Sequence, residues 1–173
     1  MTTAIWWIRR DVRLSDNQAL DTALAHADAV LPVFVLDPHI LERPTTGSTR
    51  VAFLFDGLRQ LDADLRARGS RLVVRPGDPT ETLAALVTET GAAAIFAEED
   101  FSPTARRRDG RAASALPLHL VGGRLVHPPG TVLKADGAPY TVFTPFSRAW
   151  RALMPPTAVI PPPAALPTPP SVT

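Results

Sequence analysis

The chain has 173 residues, 45% of them hydrophobic, which is enough for one ordinary domain with its own core. Its formal net charge of +1 gives no overall preference for nucleic acid or an anionic membrane, and the absence of cysteine excludes disulfides, thiolate metal ligands and a cysteine nucleophile. The four histidines lack metal-ligand spacing, and nothing resembles a signal peptide or a membrane span, so we expect a cytoplasmic protein without a metal site.

The first predicted element is a strand over residues 4–8, a short apolar run typical of a buried central strand in a parallel sheet. The loop that follows, residues 9–17, contains three arginines and two aspartates but no glycine. In nucleotide-binding α/β folds this loop is usually glycine-rich, because the backbone has to approach a pyrophosphate. The sequence therefore predicts a Rossmann-like fold that does not hold its ligand by the usual phosphate loop.

Further strands and helices alternate along the chain. Apolar runs predict strands at 29–36, 71–75, 93–97 and 116–121. Capping residues and amphipathic spacing predict helices at 17–27, at about 48–68, from Asp78-Pro79 to Gly91, and from Ser102-Pro103 onward. Short connections between such elements imply a three-layer, doubly wound α/β sheet of about five parallel strands with the first strand central. Ligands of such sheets bind beyond the carboxyl ends of the strands, which selects the loops 9–17, 36–50 and 98–104.

The last third of the chain has a different character. An aromatic-rich segment from Tyr140 to Trp150 predicts a helix ending near Met154, and eight of the 19 prolines lie in residues 155–173. Such a composition cannot bury enough apolar surface to fold by itself. We therefore predict an α/β domain over 1–154 and a proline-rich linker over 155–173, either disordered or extended on the domain. A linker of this kind suggests that a further domain follows.

Four separated segments carry a resemblance to a known family: WWIRRDVRLSDNQAL, LPVFVLDPHIL, EEDFSPTARRRDGR and YTVFTPFSRAW. In this order and spacing they resemble the N-terminal domain of the DNA photolyase/cryptochrome family, most closely in its bacterial cyclobutane-pyrimidine-dimer photolyases. The resemblance implies that this domain holds an antenna chromophore, and that a second, helical domain binds the catalytic FAD and damaged DNA. We accordingly expect a monomer that contacts FAD and DNA only through the longer protein, and no repair by these 173 residues alone.

The resemblance also implies the antenna site. Folate-using relatives carry a carboxylate where this chain has Ala105, which favours an 8-hydroxy-5-deazaflavin or a flavin over methenyltetrahydrofolate; a site that holds no antenna is a further alternative. Carried over from the deazaflavin-using relatives, Asp100 would orient the polar edge of the ring. The other candidates share the same three loops and their flanking elements: Arg9, Arg10, Phe34, Val35, Leu36, Arg50, Leu54, Phe101 and Ser102.

Several candidates have a structural interpretation as well. Residues 9–11 are equally consistent with an ion-pair network, Phe34 with the core and Asp100 with a cap. Outside the antenna candidates, Arg106 to Arg108 indicate a solvated helix face in preference to a DNA-binding patch. Arg50 is harder to explain structurally, because a cation near a helix start opposes the macrodipole.

Two other function classes remain open. One is a cryptochrome-like photosensory or interaction domain. The other is a free-standing nucleotide-binding protein, for which Gly47-Ser48-Thr49 is the one candidate anion site in the sequence.

Overall fold

The structure is a computed structural model and describes residues 1–41, 47–123, 125–154 and 159–168. The described residues form the strands β1 (Thr3–Ile8), β2 (Ala29–Leu36), β3 (Val73–Pro76), β4 (Ala94–Glu98) and β5 (Leu118–Val121). All pair in parallel, in the order β3-β2-β1-β4-β5. The prediction of a five-stranded parallel sheet with the first strand at its centre is confirmed.

Helices cover both faces of this sheet. In the described part of the chain they are α1 (Gln18–His26), α2 (Pro38–Leu41), α3 (Ser48–Arg66), α4 (Pro79–Thr90), α5 (Pro103–Ala115) and α6 (Phe143–Ala152). None of the helices described is long and apolar enough to cross a membrane. The sheet therefore has the three-layer arrangement that the alternating pattern predicts.

The central strand joins two cores because its side chains alternate between the faces of the sheet. Trp6 packs with Leu20 of α1 and Leu61 of α3 on one face. Ile5 and Trp7 pack with residues of α4 and β2 on the other face. All six residues of β1 are buried, as expected of a strand with layers on both sides.

Side-chain caps fix where α1 and α5 begin. Asn17 accepts a hydrogen bond from the Leu20 N–H at the start of α1 (2.9 Å), and Ser102 accepts one from the Ala105 N–H at the start of α5 (3.3 Å). Both caps follow directly on the loops after β1 and β4, so they hold these loops at the carboxyl-terminal edge of the sheet. The predicted capping of both helices is thus observed.

One helix was not predicted from the sequence. The sequence predicts a loop over 36–50, but α2 occupies part of this segment. Asp37 starts this helix by accepting a hydrogen bond from the His39 N–H at 2.9 Å, and Pro38 supplies a preset φ at the first position.

Residues 159–168 form neither helix nor strand and run along α1. The Asp16 N–H donates to the Ile160 carbonyl at 2.7 Å, and the Val30 N–H donates to the Pro167 carbonyl at 2.8 Å. Leu166 is fully buried in the core cluster that contains Trp6. This part of the proline-rich segment thus lies on the α/β domain, whereas 155–158 and 169–173 lie outside the described residues. The boundary at residue 154 stays a prediction.

Candidate functional site

A cavity of about 510 Å³ lies beyond the carboxyl-terminal ends of β1 and β2, where the doubly wound topology places ligands. Small-molecule sites typically enclose about 300–1,000 Å³. Its walls come from β1, β2, α2, α3 and the start of α5, and we call it the larger cavity. It is lined by Trp7, Ile8, Arg9, Arg10, Phe34, Val35, Leu36, Asp37, Ile40, Leu41, Arg50, Leu54, Pro79, Asp100, Ser102, Thr104, Ala105 and Arg108.

The apolar wall of the larger cavity is the end of β2. Phe34 and Val35 are buried, and Leu36 is half-buried. Phe34 also packs in the same core cluster as Leu58 of α3, and Leu54, one turn earlier on α3, faces the cavity. Phe34 therefore serves the core and the cavity wall together. Such a surface suits a flat, conjugated ligand.

The polar edge of the larger cavity is formed by Arg10 and Asp100. Arg10 Nη1 donates to Asp100 Oδ2 at 3.3 Å, and the Ser102 N–H donates to Asp100 Oδ1 at 2.9 Å. Burial alone would raise the pKa of Asp100, but these hydrogen bonds outweigh it, so the pKa lies below its usual range. Asp100 is thus an ionised acceptor held in a fixed orientation at the rim.

Beneath this edge lies a buried cluster of two arginines and one aspartate. Arg9 Nη1 donates to both carboxylate oxygens of Asp109, at 2.6 and 2.7 Å, and Arg108 Nε donates to Asp109 Oδ1 at 2.9 Å. Both guanidinium carbons lie 4.9 Å from the ring centre of Trp7, within cation–π range. Burial lowers the pKa of Arg9, although the hydrogen bond and charge of Asp109 act in the opposite direction.

Arg50 of α3 is an exposed residue that lines the larger cavity. It is the third residue of α3 and is exposed, and its backbone N–H donates to the Gly47 carbonyl at 3.0 Å. A cation in the first turn opposes the helix dipole at a cost of about 0.3–1 kcal/mol. The helix itself therefore gives no reason for an arginine here, and a role in ligand binding stays a prediction.

A smaller cavity of about 260 Å³ lies beside the larger one. It is lined by residues of the loops after β1 and β4, and it shares Arg9, Arg10, Asp100 and Ser102 with the larger cavity. The Arg10–Asp100 ion pair therefore borders both spaces. Phe101 lines the smaller cavity, and the Arg106 guanidinium lies 6.0 Å from its ring centre.

The structure brings most of the predicted site residues together. The larger cavity is lined by Arg9, Arg10, Phe34, Val35, Leu36, Arg50, Leu54, Asp100 and Ser102, whereas Phe101 lines only the smaller one of the two. The ion-pair interpretation of residues 9–11 is also observed, since Asp11 pairs with Arg13 at 2.9 Å. Ligand binding by these residues stays a prediction.

Sequence reasoning missed part of the cavity floor. A solvated face was expected for Arg106 to Arg108; Arg106 and Arg107 are exposed, but that expectation is wrong for Arg108, whose side chain is only 18% exposed. The buried residues of α5 are Ala105, Asp109 and Ala112, one helical face. A carboxylate on such a face requires a cationic partner, and this is the signal that could have indicated the cluster.

The alternative anion site has no support from either cavity. Gly47, Ser48 and Thr49 line neither the larger nor the smaller one. Within the described ranges, no three histidine or acidic side chains gather as metal ligands.

Comparison with known proteins gives the family. The DNA photolyase family model matches residues 4–169. A deoxyribodipyrimidine photo-lyase of Synechococcus is 36% identical over 160 residues, which cover 90% of this chain and 33% of that protein. The corresponding enzyme of Streptomyces griseus is 37% identical over 162 residues, covering 88% and 35%. The chain thus spans about a third of the length of these two relatives, and it matches their N-terminal part.

Solved structures agree with the sequence matches. The bacterial class III photolyase of Agrobacterium tumefaciens has a TM-score of 0.88 at 32% identity, over 98% of this chain and 36% of that one. The archaeal photolyase of Sulfolobus tokodaii is described with two FAD molecules, with the implication of a novel light-harvesting cofactor. It has a TM-score of 0.81 at 26% identity, over 95% of this chain and 38% of that one. The family model covers nearly the whole chain, and these structures share its fold. The chain belongs to the DNA photolyase family.

Proposed function

We propose that this chain is the antenna-chromophore domain of a DNA photolyase. It holds a deazaflavin or flavin ring in the larger cavity, and the ring passes its excitation energy to a catalytic FAD in a separate helical domain of the longer protein. The observation that carries this proposal is the larger cavity itself: about 510 Å³, apolar on the β2 side and lined by oriented charges on the β1 side.

An antenna requires binding without chemistry. Energy transfer depends on a ring held rigidly and at a fixed orientation, which rigid strand ends provide better than mobile loops. Phe34 and Leu36 offer the apolar contact, while Asp100 offers an acceptor for a ring N–H. The side chains at this cavity thus fit a flat ring with one polar edge.

The residues lining the larger cavity favour one chromophore class over another. Ala105 is buried and lines the cavity, so the position that would carry a carboxylate in folate-using relatives has no polar group. The Sulfolobus tokodaii photolyase is described with two FAD molecules, with the implication of a novel light-harvesting cofactor, and this supports a flavin as one candidate. We therefore place deazaflavin and flavin ahead of methenyltetrahydrofolate.

The partners follow from the same proposal. The helical domain that holds the catalytic FAD is the principal partner, and damaged DNA is contacted through that domain. We further propose a monomer located in the cytoplasm. A cryptochrome-like role would use the same antenna site, and the downstream helical domain would distinguish the two.

The test is a fluorescence titration of the protein with an 8-hydroxy-5-deazaflavin, riboflavin and methenyltetrahydrofolate. We expect the first two to bind more tightly than the folate. Leu54→Trp, which places a larger side chain in the cavity, should weaken binding at least about tenfold, or 1.4 kcal/mol. Phe53→Trp is the matched control, because Phe53 neighbours Leu54 on α3 but is 78% exposed. Tight folate binding, or equal affinities of both variants, would contradict the proposal.

A further inference from the structure

We propose that Arg9 and Arg108 protect Trp7 from oxidation, so that this indole does not quench the excited state of a ring bound in the larger cavity. The inference rests on the proposed function, because only a chromophore that absorbs light there has an excited state to protect. It adds Trp7 and Arg108 to the functional residues of the domain. Asp109 is a positioning residue, since it accepts hydrogen bonds from both guanidinium groups.

The wall of the larger cavity contains an electron donor. Trp7 is the only tryptophan among the described residues that line this cavity. Indole is one of the side chains most readily oxidised by one electron, and flavins carry out one-electron chemistry. Transfer of one electron from the indole to the excited ring would leave an indole radical cation beside a ring that has gained the electron. Return of that electron would restore both in their ground states, and the excitation would be lost as heat.

This side reaction works against an antenna. Transfer of excitation to a second chromophore competes with every other decay of the excited state, so a quencher at the cavity wall lowers the yield of transfer. Trp7 is nevertheless required for packing, since it is only 3% exposed and lies in the core cluster with Ile5 and Leu83. A tryptophan in this position is compatible with an antenna when its oxidation is made unfavourable.

Two guanidinium groups lie against the Trp7 indole. The guanidinium carbons of Arg9 and Arg108 are each 4.9 Å from its ring centre. Significant cation–π contacts occur about once in 70–80 residues, so two on one ring are a distinctive arrangement. A further arginine contact in the described part of the chain, between Arg106 and Phe101, is longer at 6.0 Å.

The charges at Trp7 oppose the loss of an electron. Oxidation places a positive charge on the indole, and each guanidinium group repels that charge, whereas the neutral ring is stabilised by both. Asp109 offsets only one of the two cations. The side chains of Arg9 and Arg108 are 7% and 18% exposed, so water screens the repulsion weakly. The arrangement therefore raises the oxidation potential of Trp7.

The experiment measures the fluorescence lifetime of a bound probe, either riboflavin or 8-hydroxy-5-deazariboflavin, whichever binds more tightly. In the wild type we expect the lifetime found in Trp7→Phe, because a protected Trp7 does not quench. In Arg108→Met the charges of Arg9 and Asp109 cancel, so Trp7 is oxidised more readily and the lifetime should shorten at least about twofold.

Two further variants show whether the effect passes through Trp7. Arg108→Met keeps an apolar stem over the indole and leaves the hydrogen bonds between Arg9 and Asp109 in place. The double variant Arg108→Met/Trp7→Phe should recover the wild-type lifetime, which a merely loosened cavity would not do. Arg107→Met is the control, because Arg107 is exposed on the same helix, and it should keep the wild-type lifetime. Circular dichroism checks the fold of each variant.

Transient absorption of the wild-type protein gives a readout that needs no variant. After excitation of the bound probe we expect no absorption from an indole radical cation. Formation of that radical in the wild type would overturn the proposal directly.

The outcomes separate this inference from the proposed function. If a probe binds but its lifetime in the wild type is much shorter than in Trp7→Phe, the protection is refuted while the ring-binding function stands. An unchanged lifetime in Arg108→Met, or a shortened one that the double variant does not recover, would refute the role of Arg108. If neither probe binds, both proposals fail together.

Discussion

Arg9 and Asp109 stand 100 positions apart in the sequence, yet Arg9 Nη1 donates to both carboxylate oxygens of Asp109, at 2.6 and 2.7 Å. This ion pair connects the end of the central strand β1 to the middle of α5 next to the larger cavity. Because both side chains are buried, the pair is not a surface contact; it fixes Arg9, which lines the larger cavity.

The contribution of this ion pair to the free energy of unfolding can be measured directly. Asp109→Ala leaves two guanidinium groups buried without a counter-charge, so we expect a loss of about 3–5 kcal/mol in the free energy of unfolding. The control is Asp56→Ala, which removes the ion pair between Asp56 and Arg59. Their side chains are 72% and 74% exposed, so this substitution should lower the free energy of unfolding by at most about 1 kcal/mol. Urea unfolding of both variants gives the comparison, and similar losses would contradict the buried-pair account.

The N-cap of α4 should make stability depend on pH. Burial alone would raise the pKa of Asp78, but hydrogen bonds from Arg111 and from the backbone of Glu81 and Thr80 outweigh it and lower the pKa. Because the pKa of Asp78 is lower in the folded than in the unfolded state, its carboxylate stabilises the fold at any pH above the unfolded-state pKa. This stabilisation is lost as the pH falls through the folded-state pKa.

We therefore expect Asp78→Ala to cost about 1 kcal/mol at neutral pH and progressively less below about pH 4. Asn17→Ala is the matched control, since Asn17 caps α1 through the Leu20 N–H but does not titrate. Its cost should be the same at every pH. Thermal unfolding between pH 2.5 and 7 measures both, and a pH-independent cost for Asp78→Ala would refute the assignment.

The segment 159–168 should contribute to stability through one side chain. Leu166 is fully buried against the core, so Leu166→Ala is expected to lower the free energy of unfolding by about 2–5 kcal/mol. Val159 is 76% exposed in the same segment, and Val159→Ala should change it by less than about 0.5 kcal/mol. If the two substitutions prove equivalent, the segment does not belong to the core of the α/β domain.

Much of the fold was predictable because local signals agreed with the global arrangement. The apolar run at 4–8 and the caps at Asn17 and Ser102 predicted a central strand and two helix starts that the structure shows. Once strands and helices alternate, the parallel sheet and its ligand-binding edge follow from general rules. The loops after β1, β2 and β4 were selected on that basis.

What the sequence did not reveal depends on long-range contacts. The pairing of Arg9 with Asp109 joins elements far apart in the chain, and no local pattern at Arg108 distinguishes it from the exposed Arg107. The burial of Leu166 was likewise hidden, because proline-rich composition indicates only that a segment cannot fold alone. Phe101, one residue from Asp100, lines the neighbouring cavity, a distinction that depends on side-chain direction.

The charged side chains that line the larger cavity give a further prediction. Arg50→Ala and Asp100→Ala should each weaken deazaflavin or flavin binding by about ten- to hundredfold, or 1–3 kcal/mol, because each removes one polar contact to the ligand. Arg59→Ala on the same helix α3, outside the cavity lining, is the control and should bind like the wild type. Unchanged affinities in both Arg50→Ala and Asp100→Ala would contradict the assignment of these side chains to the ligand-binding site.

The most direct test of the antenna site is the crystal structure of the protein with a bound 8-hydroxy-5-deazaflavin or flavin. We predict that the ring lies in the larger cavity, flanked by Phe34 and Leu36, with Asp100 within hydrogen-bond distance of its polar edge. A ring found in the smaller cavity, or on the surface away from the carboxyl ends of β1 and β2, would contradict the account.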